Sequence, residues 1–165
     1  MDKLWAPWRV KYVTKIITKI KGCLFCRILQ EKNKDKKNYV FVRTKHSFAV
    51  LNIYPYNNGH TLIVPNRHVK DLAQLTNEER EDLLNVLIYC QRLLDKVLTP
   101  AGYNVGINLG KVSGAGIPGH LHIHLVPRWR GDVNFMPVTG YTKVISQSLR
   151  TLFDKLFVVH RKHRR

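Results

Sequence analysis

The sequence predicts an α+β fold, with a mainly antiparallel sheet of about five strands, one long helix and a C-terminal helix. Two observations carry this prediction. Five short stretches are rich in β-branched and aromatic residues, and turn formers join several of them directly, which favours antiparallel neighbours. Two longer segments place apolar residues at helical spacing. A chain of 165 residues with 44% hydrophobic content is typical of a single folded domain.

The first three predicted strands lie close together in the chain. They are NYVFVRT (38–44), HSFAVLN (46–52) and HTLIVP (60–65), with a turn rich in Pro, Asn and Gly before the third. Thr76 and Glu79 have the spacing of a capping box, so a helix is predicted to begin there and to end before Pro100. Its buried stripe is predicted to contain Leu83, Leu87, Cys90, Leu94 and Val97.

The second half of the chain supplies the remaining elements. YNVGINLG (103–110) is predicted as the fourth strand and the stretch that starts at His120 as the fifth, with a glycine-rich loop between them. An amphipathic helix is predicted over about 142–157, with Ile145, Leu149, Leu152 and Phe153 facing inward. Residues 1–22 are predicted to form an N-terminal arm with a helix-like segment over 8–20, residues 30–38 a polar loop, and residues 158–165 a basic tail.

The charge of the chain is strongly positive. There are 28 Lys plus Arg against 11 Asp plus Glu, a formal net charge of +17. Such a surface attracts nucleic acid, acidic membranes or small phosphorylated ligands, and charge alone does not choose among them. Nucleic acid is the less favoured partner here. No apolar run approaches the ~20 residues of a membrane span. Three cysteines without an export signal predict reduced thiols and a cytoplasmic protein without a membrane partner.

The most informative stretch is GHLHIHLV. His120, His122 and His124 alternate with Leu121, Ile123 and Leu125. Since side chains alternate across a strand, the histidines are predicted to share one face and the aliphatic residues the other, buried one. The pattern leaves three roles open for the histidine face, namely a metal site, acid–base catalysis and a covalent nucleophile.

The loop before the histidines favours phosphate chemistry. GKVSGAGIPG contains Gly110, Gly114, Gly116 and Gly119, and a loop of this kind can turn several backbone N–H groups toward an anion. An anion cradle beside a histidine face points to phosphoryl or nucleotidyl transfer.

The sequence resembles the histidine triad superfamily. HLHIHLV matches its triad pattern and NGHTLIVPNRH (58–68) its strand segment. The resemblance is closest to the diadenosine tetraphosphate phosphorylase branch, related to the fragile histidine triad hydrolases. LWAPWR (4–9), CLFC (23–26), YNVGINLG and PRWRGDVNFMPV (127–138) carry this resemblance. It implies a HIT-like fold over most of the chain.

The resemblance also implies catalytic roles. His122 would attack the α-phosphate of an adenine nucleotide and form a nucleotidyl-histidine, with its other ring nitrogen donating to a backbone carbonyl. His124 would contact the phosphate oxygens, and His120 completes the triad. Many members carry Ser, Thr or Gln shortly before the first histidine, whereas this chain has Gly116, Ile117, Pro118 and Gly119 there. Help for the leaving group would then come from backbone N–H groups or from elsewhere.

Several further residues are predicted to bind the nucleotide. The resemblance places Asn52 at the ribose and Asn108 near the phosphate or ribose, next to the loop glycines Gly110, Gly114 and Gly116. The alternative for either asparagine is a simple turn former. Trp129 would stack on adenine, with simple packing as the alternative. His60 is expected to make structural hydrogen bonds.

A metal site is predicted at the cysteine pair. Cys23 and Cys26 have C-x₂-C spacing, and His68 with His120 would complete a four-ligand structural zinc site, as in several triad proteins that contain zinc. The alternative is a reduced pair near the core. No redox cofactor is expected.

The function expected from this reading is phosphorolysis of diadenosine tetraphosphate to ATP and ADP. Lys111, Arg128 and Arg130 would attract phosphate as the acceptor. The alternatives are a hydrolase of dinucleoside polyphosphates or phosphoramidates that gives AMP, and an enzyme that processes nucleic-acid ends or caps. The resemblance further implies a homodimer, paired through residues 76–109.

Overall fold

The structure, a computed structural model, describes residues 22–132, 136–139 and 144–163. The segment predicted as helix-like over 8–20 and the LWAPWR motif lie outside the described residues, as does nearly all of the predicted arm.

The described elements follow the predicted order. In chain order they are α1 (Leu24–Gln30), α2 (Asp35–Asn38), β1 (Val40–Arg43), β2 (Ser47–Leu51), β3 (Thr61–Pro65), α3 (Asn77–Leu98), β4 (Gly102–Ile107), β5 (Ile123–Arg128), α4 (Met136–Thr139) and α5 (Leu149–His163). The predicted α+β fold with a long helix and a C-terminal helix is confirmed. Within the described part of the chain, no helix is both long enough and apolar enough to cross a membrane.

The five strands form one antiparallel sheet in the order β1-β2-β3-β5-β4. The last strand along the chain therefore lies inside the sheet, between β3 and β4. Leu62 of β3 and Gly106 of β4 both pair with His124 of β5. Of the three histidines only His124 belongs to the ladder, because the strand begins at Ile123 and not at His120 as predicted.

The two faces of the sheet bury different clusters. On one face α3 and α5 cover the sheet, and the capping box of Thr76 and Glu79 that starts α3 is present. The predicted stripe of α3 lies in this core, which contains Leu83, Cys90 and Leu94 with Leu87 and Val97 packed against it. On the other face α1 packs Phe25 and Ile28 against Phe48, Leu62 and their neighbours. The histidines lie beside this second cluster.

One glycine fixes the entry to β3. Gly59 has a φ of +78°, and a Cβ at this position would lie 2.6 Å from Leu98 Cδ1 and 3.0 Å from Pro127 Cγ. Both the left-handed backbone and the close approach of α3 require glycine there. This turn sets the start of β3 and therefore the position of the neighbouring His60.

Further predicted element bounds were wrong. Residues 144–148 are not helical, and α5 begins at Leu149 and continues to His163. The helix thus includes most of the predicted basic tail, since buried His160 contacts the Tyr89 hydroxyl at 2.8 Å. The predicted polar loop over 30–38 contains a 3₁₀ turn and α2, which is tied down by the ion pair of Asp35 with Arg43.

We predict that Glu79→Gln destabilises the fold at neutral pH and not at pH near 2. Arg67, which hydrogen-bonds to Glu79, lowers the pKa of that buried carboxyl to about 2. Because the pKa of Glu79 is lower in the folded than in the unfolded state, the ionised carboxylate stabilises the fold at pH values above the unfolded-state pKa. This stabilisation is lost as the pH falls through about 2. Gln keeps the capping-box geometry. We expect a loss of about 1–2 kcal/mol at neutral pH, since Arg67 is half exposed.

Denaturant unfolding across acidic to neutral pH measures this effect. Glu81→Gln, an exposed site on the same helix, is the matched control and should change stability little at any pH. A loss at Glu79 that does not vary with pH would contradict the ion-pair origin.

Candidate functional site

The alternation predicted for the histidine stretch is present. Leu121, Ile123 and Leu125 are buried in the core beneath α3 and α5. His122 contacts Phe25 on the opposite face, with ring centroids 5.2 Å apart, and the His122 and His124 rings are 5.0 Å apart. The two histidines therefore project together on the α1 side of the sheet.

The ring of His122 has a fixed tautomer. Its Nδ1 lies 2.8 Å from the backbone carbonyl oxygen of His120. Because a carbonyl only accepts, Nδ1 carries the proton and Nε2 keeps a lone pair. Burial lowers the pKa of His122, against the smaller raising effect of this hydrogen bond, and so favours the neutral ring. The hydrogen bond expected from the sequence is thus present.

A chain of two hydrogen bonds, through His60, orients His124. The backbone N–H of Tyr56 donates to His60 Nδ1 at 3.0 Å, so the proton of His60 lies on Nε2. His60 Nε2 is 2.9 Å from His124 Nδ1 and donates to it, which leaves the His124 proton on Nε2. The Tyr56 ring stacks on His60 with centroids 4.7 Å apart. His60 was expected to make structural hydrogen bonds, but its contact with His124 was not foreseen.

An open, largely apolar cavity of about 380 Å³ reaches the histidine pair through two of its lining residues, Phe25, which contacts His122, and Leu62, which pairs with His124. Its walls come from α1, from the end of β2 and from the loop before His120, with Phe25, Val50, Leu62 and Ile117 among the apolar lining residues. Asn52 lies in the wall, where it donates to His60 Nδ1 at 3.3 Å and accepts from the Tyr54 N–H at 2.9 Å. The cavity can take a flat apolar group close to the histidine pair.

The predicted binding residues are only partly brought together. Asn52 and Gly116 line the cavity, whereas Asn108, Gly110, Gly114 and Trp129 do not. Asn108 lies just after β4, two residues beyond Gly106, which pairs with His124. The loop that follows Asn108 therefore starts beside the histidines. Sequence reasoning did not find the cavity walls contributed by Phe25, Arg27 and Lys37, although Phe25 and Ile28 have helical spacing.

Arg128 lies at the end of β5, as predicted, but its charge is paired. Its guanidinium contacts both carboxylate oxygens of Asp132, at 2.6 and 3.0 Å, and Asn104 Oδ1 at 2.6 Å. Asp132 also accepts from the Asn57 side chain at 2.7 Å. Arg128 thus anchors the turn after β5, and a paired charge of this kind attracts phosphate weakly. Lys111 and Arg130 are exposed.

Two cysteines and two histidines form a separate compact cluster, which includes His120. The Sγ atom of Cys23 lies 3.2 Å from His120 Nδ1, and the Sγ atom of Cys26 lies 3.2 Å from His68 Nδ1 and 3.7 Å from His120 Nδ1. One ligand atom from each residue lies within 4.8 Å of all the others. The sequence predicted this set of four, and the fold brings them together across 97 residues.

The cluster has the dimensions of a tetrahedral metal site. Zn–S bonds of about 2.3 Å and Zn–N bonds of about 2.0–2.1 Å imply ligand atoms roughly 3.3–3.8 Å apart, close to the spacing found here. His120 Nε2 donates to the Pro65 carbonyl at 2.9 Å, so Nδ1 offers its lone pair to the cluster. Burial, and then the contact with Cys23, raise the pKa of the Cys26 thiol. A bound cation would favour the thiolate and so lower this pKa.

The comparisons with known proteins agree with this arrangement. Residues 33–131 match the HIT domain, and the chain therefore belongs to the HIT family of histidine triad proteins. It is 40% identical over 157 residues to AP-4-A phosphorylase of Mycobacterium tuberculosis, covering 91% of this chain and 80% of that protein.

The chain is also similar to a second relative and to a solved structure. An asymmetrical bis(5'-nucleosyl)-tetraphosphatase of Schizosaccharomyces pombe is 39% identical over 93 residues, which cover 56% of this chain and 50% of that protein. The crystal structure of a Zn-bound histidine triad family protein from Mycobacterium smegmatis superposes with a TM-score of 0.67 at 24% identity, covering 87% of this chain and 96% of that chain. The latter likeness shows a shared fold.

We predict that NMR will find His122 as the Nδ1–H tautomer and His124 as the Nε2–H tautomer at neutral pH, because the carbonyl of His120 and the ring of His60 impose them. Long-range ¹H–¹⁵N correlation spectra of ¹⁵N-labelled protein distinguish protonated from unprotonated ring nitrogens. In His60→Phe, His124 should become a mixture of tautomers while His122 stays unchanged. An Nδ1–H form of His124 in the wild-type protein would contradict the relay.

Proposed function

We propose that this protein is a nucleotidyltransferase that cleaves diadenosine tetraphosphate by phosphorolysis to ATP and ADP. The observation that carries the proposal is the His122 ring, held with its Nε2 lone pair available next to His124 and an apolar cavity. The similarity to AP-4-A phosphorylase over 91% of the chain supports the substrate class and the use of phosphate.

The first step uses the lone pair of His122. Nε2 attacks the α-phosphorus, the P–N bond forms, and the P–O bond to the leaving chain breaks with release of ATP. The ring becomes cationic in the adenylyl-histidine, and its Nδ1–H remains on the His120 carbonyl, which stabilises the charge. The Nε2–H of His124 donates to a phosphate oxygen.

The second step returns the histidine to its starting form. An oxygen of inorganic phosphate attacks the same phosphorus, the P–N bond breaks, and ADP leaves. The electron pair of the broken bond returns to Nε2 of His122. The exposed Lys111 and Arg130 raise the local phosphate concentration, without the paired Arg128.

The cavity beside the histidines would hold the nucleoside of the transferred adenylyl group. Its apolar walls suit a purine base, and Asn52 is held by Tyr54 and His60 in a position to bind the ribose. The loop before His120 closes one end of the cavity through Gly116 and Ile117, so the α-phosphate would lie between this loop and the histidines. Trp129 remains a proposed contact to adenine from outside this cavity.

We predict that diadenosine tetraphosphate incubated with the protein and millimolar phosphate gives ATP and ADP. Separation of nucleotides by anion-exchange chromatography measures both products. His122→Asn keeps the size and Nδ1-like donor of the side chain but removes the nucleophile, so turnover should fall by ~10³-fold or more.

The products also test the hydrolase alternative, which the similarity to the asymmetrical tetraphosphatase favours. AMP and ATP in amounts independent of phosphate would contradict phosphorolysis and leave a hydrolase with the same nucleophile. Wild-type turnover by His122→Asn would contradict covalent catalysis altogether.

We further propose that Cys23, Cys26, His68 and His120 bind one zinc ion with a structural role. Four protein ligands leave no open position for water or substrate, so the ion would supply rigidity and no catalytic step. Cys23 caps α1 and Cys26 lies in its first turn, whereas His120 is two residues from His122. The site would therefore hold α1, a wall of the cavity, against the histidine stretch.

We predict one zinc per chain in protein purified without added metal, measured by elemental analysis. Cys26→Ser should lose the zinc, and Cys90→Ala, which changes the cysteine in the core, should retain it. Removal of zinc should lower Tm by about 5–10 °C, because ligand at a hundredfold excess over Kd stabilises by ~2.7 kcal/mol. Protein without zinc whose Tm is unaffected by chelation would contradict the site.

A homodimer through residues 76–109 is also proposed. Among the described strands β4 is an edge, and it pairs only with β5. The Tyr103 hydroxyl contacts Asp95 at 2.7 Å, so β4 and α3 lie next to each other. Val105, Ile88 and Leu84 are 53%, 46% and 54% exposed, an apolar patch beside an unpaired edge.

We predict that light scattering at micromolar concentration gives twice the chain mass of 19.2 kDa. Val105→Lys should give a monomer, because it places a charge in the apolar patch. Leu72→Lys, at an exposed apolar residue elsewhere, should remain dimeric. A monomeric wild-type protein would contradict this interface.

A further inference from the structure

The outer face of α5 carries charge that the proposed reaction does not use. The helix buries Leu152, Phe153 and Leu156 in the core beneath the sheet, on the face opposite to His122. Its other side is exposed and includes Lys155, Arg161 and Lys162. A phosphate at the histidines is separated from these cations by the sheet itself, so they do not bind the substrate.

These three cations lack ion-pair partners among the described residues. The helix has one acidic residue, Asp154, and its carboxylate is bound by Arg150 at 2.9 Å. Lys155, Arg161 and Lys162 form no salt bridge within the part of the chain that the structure describes. In the sequence, Arg164 and Arg165 follow directly and add two further positive charges. A concentration of positive charge on one helix attracts polyanions.

An aromatic platform lies beside one of the cations. Phe157 is 37% exposed and stacks on Phe153 with centroids 5.6 Å apart, and the Arg161 guanidinium lies 5.8 Å from the Phe157 ring centroid. Two shallow grooves border α5. One of about 630 Å³ includes Lys155 and Val158, and one of about 670 Å³ includes Arg161 and Phe157. Flat guanidinium and aromatic groups are surfaces on which unpaired bases stack.

We propose that this face of α5 binds single-stranded nucleic acid. The cations would contact successive phosphates and the Phe157–Arg161 stack would support a base. The cations and Phe157 are all exposed residues of α5, and the net charge of +17 favours such a partner. A membrane surface fits less well, because the apolar side of α5 is already buried and only Phe157 and Val158 remain exposed for insertion. This inference does not rest on the proposed phosphorylase activity.

Fluorescence anisotropy with a labelled oligouridylate of about 20 nucleotides, between about 50 and 200 mM salt, tests the proposal. The full chain should bind with affinity that falls steeply with salt. Combined Lys155→Gln, Arg161→Gln and Lys162→Gln should weaken binding and reduce the slope of log K against log salt by about 2, since each phosphate contact to a single strand contributes about 0.7.

A second variant separates stacking from charge. Phe157→Leu removes the ring but no charge, so affinity should fall by about 5- to 100-fold with the salt slope unchanged. Both variants should retain wild-type turnover of diadenosine tetraphosphate and wild-type circular dichroism, because the residues lie across the sheet from His122.

The matched control changes three exposed lysines elsewhere, Lys32→Gln, Lys45→Gln and Lys70→Gln. A control that loses as much affinity and slope as the α5 variant would overturn the proposal, since binding would then follow net charge alone. Wild-type protein that fails to bind the oligonucleotide at low salt would overturn it as well. Sedimentation with vesicles containing phosphatidylglycerol, in the absence of oligonucleotide binding, would assign the face to a membrane instead.

Discussion

The site depends on the strict alternation of side chains through residues 120–125. Leu121, Ile123 and Leu125 are held in the core beneath α3 and α5, and this burial fixes which way the intervening histidines point. A slip of one residue in the pairing with β3 would bury imidazoles among aliphatic side chains and expose the leucines. The hydrophobic core on one face therefore sets the position of the reactive groups on the other.

The three histidines of the triad are alike in sequence and differ through what the second ring nitrogen meets. His120 donates from Nε2 to Pro65 and turns Nδ1 to the cysteines, whereas His122 donates from Nδ1 to the His120 carbonyl. His124 accepts at Nδ1 from His60. His122 is thus the Nδ1–H tautomer, whereas His120 and His124 are both Nε2–H tautomers with different partners at Nδ1. The proposed roles of nucleophile, metal ligand and donor follow from these arrangements.

Much of this was predictable because it rests on local patterns. The capping box that starts α3, the strand positions and the two-faced histidine stretch are properties of neighbouring residues, and the Cys–His set follows from spacing and family resemblance. The contacts that were missed link distant segments. The relay from His60 to His124 spans 64 residues, and Arg128 is neutralised by Asp132 within a turn whose course no periodicity reveals. The start of α5 was predicted too early because apolar residues at helical spacing also occur before Ser148. In the structure the hydroxyl group of Ser148 accepts from the Thr151 N–H, and the helix begins at Leu149.

The loop before His120 shows how this chain departs from the pattern of polar residues found in many triad proteins. Gly116, Ile117 and Pro118 line the cavity, and Ile117 packs against the cluster that contains Phe25. The His120 N–H donates to the Ile117 carbonyl at 3.2 Å, which ties this wall to the first histidine. Positions that elsewhere carry a hydroxyl or amide thus contribute apolar surface here. If the proposed reaction takes place here, the leaving phosphate would be bound by the N–H groups of the loop and by His124, whose orientation is set by His60.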